Sequence, residues 1–352
     1  MFAPRTFTLS DGIEIFFTDS GPPPNSADYT TMIILHGSAF NGHGFEKLHD
    51  HAFKLNLRTL IWNRRDYPRS TKYSDEELED LNQGRKVFID KLGRQLADFV
   101  KQFIQKENIP IATADRKAGG VAIMGWSMGA ATAMSVFSDP SLLSTESYNL
   151  LKDYIIHLIL DDSPHLCFGY EVPQKHKVYD PLTDPNCKTP EELYQNFGFW
   201  VSSFYEHPDP RSGKLEDMDI QSTRAGDPTI MKWTSEEFAK FYTQDAAVRS
   251  ELRMYVPPMQ PTLAEMTERV FYNEQLIGSF FPHLNVILIT GTHSNWQCLW
   301  GLSETKRRYD THVAQGKKAR PICLHYIEGG NHFAHWEAPK ILLQKAIEAM
   351  RA

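Results

Sequence analysis

The sequence predicts an α/β protein in which a mostly parallel central sheet is flanked by helices and interrupted by a helical insertion. Short apolar runs with the length of buried strands recur along the chain and alternate with helix-like segments. Such alternation is typical of parallel strands joined by right-handed crossovers. The apolar runs lie at 32–35, 59–63, 121–126, 154–160, 286–291 and 322–327. Between about Pro164 and Pro282 these runs disappear and aromatic residues become dense, which indicates the insertion.

Other segments predict further elements in chain order. Residues 7–9 and 13–17 flank a Ser-Asp-Gly turn and predict a hairpin at the start. Residues 46–57 look helical, and Ser74 and Glu77 have the spacing of a capping box that begins another helix. Two later helices carry apolar residues at three- and four-residue spacing. These residues are Leu92, Leu96, Phe99, Val100, Phe103 and Ile104 in one helix, and Ile341, Leu342, Leu343, Ala346, Ile347 and Met350 in the last.

These patterns divide the chain into three segments. Residues 1–163 form the first part of the α/β core, and residues 283–352 form its second part. Residues 164–282 are predicted to be an all-helical cap that covers the edge of the sheet where a site would lie. Most of the aromatic residues in the cap are expected only to hold the insertion together.

Composition excludes several classes of protein. The chain has 352 residues and a net charge of −7 with no concentrated basic face, which argues against nucleic acid as a partner. No run approaches the roughly 20 apolar residues that cross a bilayer. The N-terminus lacks the apolar core of a signal peptide, so a cytoplasmic location is expected. Four scattered cysteines predict free thiols rather than a disulfide framework.

The stretch from Val121 to Ala130 contains the strongest chemical signal in the chain. An apolar run ends in Gly125-Trp126-Ser127-Met128-Gly129 and passes into a helix of small residues. A serine in so sharp a turn between strand and helix needs neighbours without side chains two positions away on both sides. Ser127 is therefore a candidate nucleophile on a nucleophile elbow, and the Met128 N–H can meet a developing oxyanion.

A second signal follows the first parallel strand. The run 32–35 ends in His36-Gly37-Ser38-Ala39. A strand that ends in His-Gly suits a backbone that approaches another loop closely. If Ser127 is a nucleophile, the N–H of Ser38 or of Ala39 is the natural second oxyanion donor.

Three segments, in their order along the chain, resemble the α/β-hydrolase fold superfamily: residues 32–37, 125–129 and 328–339. The resemblance covers most of the chain except the insertion. It implies that Ser127 is the nucleophile and that His332, in a Gly-x-x-His-Phe-like segment after the last strand, is the base. It also implies that Ser38 and Met128 form the oxyanion hole, supported by His36, Gly37, Gly125 and Gly129.

The acid of the triad departs from the usual pattern of this superfamily. Relatives usually place it after the next-to-last strand, but that turn here ends in Ser294, which cannot carry a negative charge. Pancreatic-type lipases and zearalenone lactonases instead place the acid after the preceding strand, which here ends in Leu160-Asp161-Asp162-Ser163-Pro164. The acid-x-Pro spacing favours Asp162, with Asp161 as the close alternative. Glu304 and Asp310 remain possible but lie farther past the strand.

The resemblance implies a serine hydrolase of carboxylic esters or lactones with a fairly apolar small-molecule substrate. A second interpretation keeps the fold and triad but performs C–C cleavage, cyclisation or lyase chemistry in small-molecule biosynthesis. A third, non-catalytic ligand-binding receptor is disfavoured by the intact serine and histidine.

No cofactor is expected for this chemistry. Four histidines are numerous enough to raise the question of a metal site: His36, His43, His49 and His51. They lack regular ligand spacing, so no metal is predicted.

Overall fold

A computed structural model, which describes residues 2–352, contains one eight-stranded sheet. The strands are β1 (Ala3–Thr8), β2 (Glu14–Asp19), β3 (Thr30–Leu35), β4 (Leu57–Trp62), β5 (Val121–Trp126), β6 (Ile155–Asp161), β7 (Asn285–Gly291) and β8 (Ile322–Ile327). Their order in the sheet is β1-β2-β4-β3-β5-β6-β7-β8. The pairs β1–β2 and β2–β4 are antiparallel, and the other five pairs are parallel. The predicted α/β class and mostly parallel sheet are confirmed.

The central strands are buried along their whole length. Every residue of β3, β5 and β6 is buried, because helices cover both faces of the sheet. The register pairs Leu35 with Gly125, and Gly125 with Leu160. The carboxyl ends of these three strands therefore meet at one edge, and the residues that follow each strand are brought together there.

Helices surround this sheet. They are α1 (His49–Ala52), α2 (Asp75–Asn82), α3 (Lys86–Glu107), α4 (Gly129–Ser135), α5 (Thr145–Tyr154), α6 (Pro190–Val201), α7 (Ser235–Phe241), α8 (Gln244–Ala246), α9 (Leu252–Tyr255), α10 (Gln260–Tyr272), α11 (Glu274–Ser279), α12 (Trp296–Ala314), α13 (Ala334–Glu337) and α14 (Pro339–Arg351). The capping box predicted at Ser74 begins α2, with Ser74 and Glu77 bonded reciprocally. Among residues 2–352, no helix is both long enough and apolar enough to cross a membrane.

The segment 46–57 is helical as predicted up to Leu55, but it is not one continuous α-helix. Its place is taken by short helical pieces: a 3₁₀ helix at Gly42–Leu48, α1, and a second 3₁₀ helix at Phe53–Leu55. Asn56 then adopts a left-handed conformation with φ 58°, which ends the helical turns. Strand β4 begins at Leu57, so the last predicted helical residue belongs to the sheet.

No named strand lies between β6 and β7, and helices α6–α11 fill this part of the chain. Different parts of this segment contact different parts of the core. Helix α10 packs against α4 of the core, and Arg269 near its end donates to the Ser138 carbonyl at 2.7 Å. Earlier residues of the segment lie over the carboxyl edge of the sheet, where Tyr242 forms a bridge with Phe40. The predicted cap boundaries at 164 and 282 stay a prediction.

Candidate active site

Ser127 lies in the sharp turn between β5 and α4. Its backbone has a φ of 52°, a left-handed conformation that costs free energy for a residue with a side chain. The turn is held by the Ser127 N–H, which donates to the Asp161 carbonyl at 2.9 Å. The surrounding backbone is too close to admit side chains at the neighbouring glycines. A Cβ at Gly129 would lie 2.4 Å from the Leu35 carbonyl oxygen, and one at Gly37 would lie 2.6 Å from the Ser127 Cβ.

His332 and Asp162 form a buried hydrogen-bonded pair. The Asp162 Oδ2 lies 2.6 Å from the His332 Nδ1, although the two residues are 170 positions apart. Both side chains are almost fully buried. The His332 backbone carbonyl accepts a hydrogen bond from the Trp126 indole N–H at 2.8 Å, which ties the loop after β8 to the strand that carries Ser127. Sequence reasoning did not assign that role to Trp126.

The end of β7 surrounds the Asp162 carboxylate with donors. The hydroxyls of Thr290 and Ser294 both donate to it, and the Gly291 N–H donates at 3.2 Å. Burial would raise the pKa of Asp162, but the hydrogen bond and charge of His332, followed by the two hydroxyls, lower it below its usual value. Ser294 stands at the position where the resemblance places the acid, and its hydroxyl donates to the Asp162 carboxylate. Sequence reasoning missed this contact, although the serine at the usual position of the acid was a signal that could have indicated it.

Asp161 lies in a different environment. It is also buried, but its carboxyl group makes no side-chain hydrogen bond to another described residue. Burial, and then the charge of Asp162, raise the pKa of Asp161 well above its usual value. Glu304 is largely buried and pairs with Arg307 and Arg308 within α12. Asp310 pairs with Lys306 on the same helix.

The loop after β3 passes beside Ser127 at Gly37, where an added Cβ would lie 2.6 Å from the Ser127 Cβ. The Ala39 N–H donates to the Tyr67 hydroxyl at 2.9 Å, so it is already occupied. The N–H groups of Ser38 and Met128 have no hydrogen-bond partner among residues 2–352. Of the two donors that the sequence left open on this loop, Ser38 is the one available to a ligand.

Ser127 and His332 line one small cavity. Its volume is about 10 Å³, which holds roughly one water molecule. Phe197, Trp200 and Tyr255, from the segment between β6 and β7, form much of its wall. No hydrogen bond joins the Ser127 hydroxyl to the His332 ring in this structure. Such contacts are commonly long in an enzyme without substrate and shorten in the reacting complex.

One group of potential metal ligands occurs among the described residues. A carboxylate oxygen of Asp162, the Cys298 Sγ and the His332 Nδ1 lie within 4.8 Å of one another. The direct hydrogen bond between Asp162 and His332 explains this cluster, because a metal ion would have to replace it. Burial raises the pKa of Cys298 well above its usual value and keeps the thiol neutral.

The histidines singled out in the sequence do not form a cluster of ligands. The Nε2 of His36 accepts from the Arg64 N–H at 3.0 Å. His49 contacts Thr18 and Thr59, and His43 contacts Glu46.

No protein-family model matches this sequence, and no curated protein matches it. Solved structures match over nearly the whole chain. An esterase from Exiguobacterium antarcticum is 13% identical, with a TM-score of 0.53 and coverage of 99% of this chain and 100% of the other. Epoxide hydrolase A from Mycobacterium thermoresistibile is 13% identical, with a TM-score of 0.54 and coverage of 100% and 99%. The thioesterase domain of the curacin biosynthetic pathway is 15% identical, with a TM-score of 0.50 and coverage of 99% of both chains.

These neighbours share one architecture and differ in the reactions that their titles name. At such low identity the likeness defines the fold and not the reaction. The chain therefore has the α/β-hydrolase fold, as the resemblance in its sequence predicted.

Proposed function

We propose that this protein is a serine hydrolase that cleaves a carboxylic ester or lactone of a fairly apolar small molecule. One observation carries the proposal. A serine on a left-handed turn between strand and helix lines the same cavity as a histidine, and that histidine is bonded to a buried carboxylate of lowered pKa. Nucleophile, base and acid of a triad have these relations.

Each residue of the candidate site would have a separate role in the reaction. His332 takes the Ser127 proton as the Ser127 oxygen attacks the carbonyl carbon. Asp162 keeps the His332 Nδ1 protonated, and its negative charge stabilises the imidazolium that forms. The N–H groups of Ser38 and Met128 bind the oxyanion, and each such donor contributes about 2.7–4 kcal/mol to lowering the barrier. The His332 imidazolium then gives the proton from Ser127 to the alcohol oxygen as the C–O bond of the ester breaks, which leaves the acyl-enzyme. His332 next takes a proton from water as the water oxygen attacks the acyl carbon, and it returns that proton to the Ser127 oxygen as the bond to Ser127 breaks and the acid is released.

The side chain at position 127 separates this proposal from the chemistry of one structural neighbour. Epoxide hydrolases and dehalogenases of this fold have a similar arrangement of residues, with aspartate as the nucleophile in place of serine. A serine forms an acyl-enzyme from an ester or lactone carbonyl, which favours ester hydrolysis here. The apolar cap residues Phe197, Trp200 and Val201 at the cavity favour an apolar group on the substrate.

Hydrolysis of short- and medium-chain p-nitrophenyl esters tests the proposal, together with labelling by a fluorophosphonate. We expect turnover and labelling in the native protein and the loss of both in Ser127→Ala. Ser138→Ala is the matched control, because Ser138 is also buried after α4 but donates only to the Ser135 carbonyl. Labelling without turnover would contradict hydrolysis and favour the C–C cleavage, cyclisation or lyase interpretation. The absence of both labelling and turnover in the native protein would contradict an enzymatic role for Ser127.

A further inference from the structure

Two cap residues hold the side chain of Ser38, the residue whose N–H is proposed to bind the oxyanion. The Ser38 hydroxyl donates to the Glu251 Oε2 at 2.6 Å. The Tyr255 hydroxyl donates to the Ser38 Oγ at 2.8 Å. More than 200 positions separate Ser38 from either partner, so the contacts depend on how the cap sits on the core.

The local structure of the cap places both side chains on one face. Residues Ala247–Glu251 form a π-helical turn that continues directly into α9, which ends at Tyr255. Glu251 and Tyr255 are four positions apart, so they lie on the same side of this helical segment. π-helical turns are rare and occur often at functional sites.

The Glu251 carboxylate is also paired with a buried cation. Its Oε1 lies 2.9 Å from the Arg64 guanidinium, and the two side chains are 2% and 4% exposed. Arg64 follows β4 and contacts the same loop as Ser38. Its backbone N–H donates to the His36 Nε2 at 3.0 Å, and its guanidinium donates to the Gly37 carbonyl at 3.4 Å.

The Arg64 contact also sets the tautomer of His36. Because the His36 Nε2 accepts, its Nδ1 carries the proton and donates to the Gly37 carbonyl at 2.8 Å. Arg64 and Glu251 together therefore hold three consecutive residues of the loop after β3.

Stability alone does not explain this arrangement. A buried ion pair loses about as much in desolvation as it gains in attraction, so an apolar pair of the same volume would stabilise the fold as well or better. The pair is linked to the cavity through Ser38, because Tyr255, which donates to the same Ser38 hydroxyl that binds Glu251, lines the cavity with Ser127 and His332.

We propose that Glu251 and Tyr255 are positioning residues that hold the Ser38 N–H where it binds the oxyanion. This inference rests on the proposed function. Through them, the oxyanion hole is complete only when the segment 247–255 of the cap is seated on the core. A substrate enclosed by the cap is thereby coupled to the assembly of the reacting site.

The test compares Ser38→Ala, Glu251→Gln, Tyr255→Phe and the double variant Ser38→Ala/Glu251→Gln, with kcat expressed per fluorophosphonate-titrated site. Small misplacement of a reacting group costs up to about 100-fold in rate, so we expect kcat to fall about 10- to 100-fold in each single variant. KM should change by less than about threefold, because the lost interaction acts in the transition state. Ser38→Ala leaves the Arg64–Glu251 pair intact, so it remains informative if Glu251→Gln fails to fold.

Non-additivity distinguishes positioning from general loosening. The Ser38→Ala/Glu251→Gln double variant should be no slower than the slower single variant, because both changes break one link. Thr243→Val is the control, since it removes another hydrogen bond between cap and core, from Asn41 at 2.9 Å, and should keep native kcat.

Native kcat in Ser38→Ala and Tyr255→Phe would overturn the inference while leaving the proposed function intact. Full turnover in Ser127→Ala would overturn the proposed function itself.

Discussion

At the scale of single residues, the two adjacent aspartates have opposite electrostatic surroundings. Asp162 is bonded to His332 and its pKa is lowered, whereas Asp161 is buried without a side-chain hydrogen bond and its pKa is raised. A backbone turn separates them, because Asp162 has a φ of 45° and leaves the strand that contains Asp161. Only one of the two can stabilise an imidazolium.

Exchange of each aspartate for asparagine tests this difference. Asp162→Asn should lower kcat by about 10⁴-fold, because the amide favours the wrong tautomer of His332 and carries no charge. Asp161→Asn is the matched control and should stay within about threefold of native kcat. Steady-state hydrolysis of a p-nitrophenyl ester measures both. Equal losses in the two variants would contradict the assignment of Asp162 as the acid.

The raised pKa of Asp161 predicts how stability depends on pH. The folded state holds the Asp161 proton at pH values where the unfolded state has released it, so this group destabilises the fold as pH rises above its ordinary pKa of 3.8. Asp161→Asn removes the effect and should raise the Tm at pH 7. The gain should shrink steadily as pH is lowered toward about 4. Thermal unfolding at several pH values measures it, and a gain independent of pH would refute the explanation.

Part of the candidate site was predictable because sequence motifs contain the residues that the proposed covalent chemistry needs. The glycines around Ser127 and the histidine after the last strand are demanded by backbone geometry and reaction, so they leave a pattern in the sequence. The residues that support the candidate site leave no such pattern in the sequence. Thr290, Ser294 and Glu251 act through distances that only the folded chain sets, and each residue type is common on ordinary surfaces and turns.

At the scale of elements, the close approach of β3 to α4 positions the strand-to-helix turn. Gly129 begins α4 so near to the Leu35 and His36 carbonyl oxygens that a Cβ would lie 2.4 and 2.5 Å from them. Backbone atoms on both sides cannot give way without displacing the strand. The element boundary therefore depends on this one glycine.

Alanine at two helical glycines should have opposite effects. Gly129→Ala should lower the free energy of unfolding by about 3 kcal/mol through overpacking. Gly278→Ala is the control in α11, where a Cβ would meet nothing within 4 Å, and it should stabilise the protein by about 0.4–1 kcal/mol. Urea unfolding measures both values. A neutral Gly129→Ala would show that α4 can move away from β3.

The accuracy of the predicted elements follows from how strongly each segment is determined locally. Buried strands such as β5 and β6 are continuous apolar runs, and long α3 carries buried apolar residues at three- and four-residue spacing along its length, so their sequences identify them. The segment 46–57 has helical composition. The left-handed Asn56 and the pairing of Leu57 with Thr30 in the sheet end its helical turns before residue 57. Tertiary pairing overrides weak helical preference there.

At the scale of the whole molecule, polar contacts join the segment between β6 and β7 to the rest of the chain. Arg249 donates to the Asp66 Oδ1 at 2.5 Å and to the Tyr73 carbonyl at 2.7 Å. The Asp66 side chain is 1% exposed, and Arg249 is the cation that pairs with it. A cavity with room for roughly one water molecule is too small for the proposed substrate, so we expect this segment to move when a substrate enters.

Removal of the Arg249 contact should loosen the cap selectively. Arg249→Met leaves Asp66 buried without its cation and should cost about 1–3 kcal/mol of local stability. Amide hydrogen exchange in the segment 247–259 should then accelerate at least about tenfold. Exchange in β3 and β5 should stay unchanged, and equal acceleration there would indicate global destabilisation instead. Lys232→Met, which breaks an exposed ion pair with Glu337, is the control.

The contact between Ser294 and Asp162 has a consequence for how this architecture can diverge. Both residues reach one point beside the His332 Nδ1, from the ends of two neighbouring strands. The anion is thus required at a location and not at a fixed place in the polypeptide. A reciprocal exchange, Asp162→Ser with Ser294→Asp, should recover part of the turnover that Asp162→Ser loses, so two mutational steps would suffice to pass the acid from one strand to its neighbour.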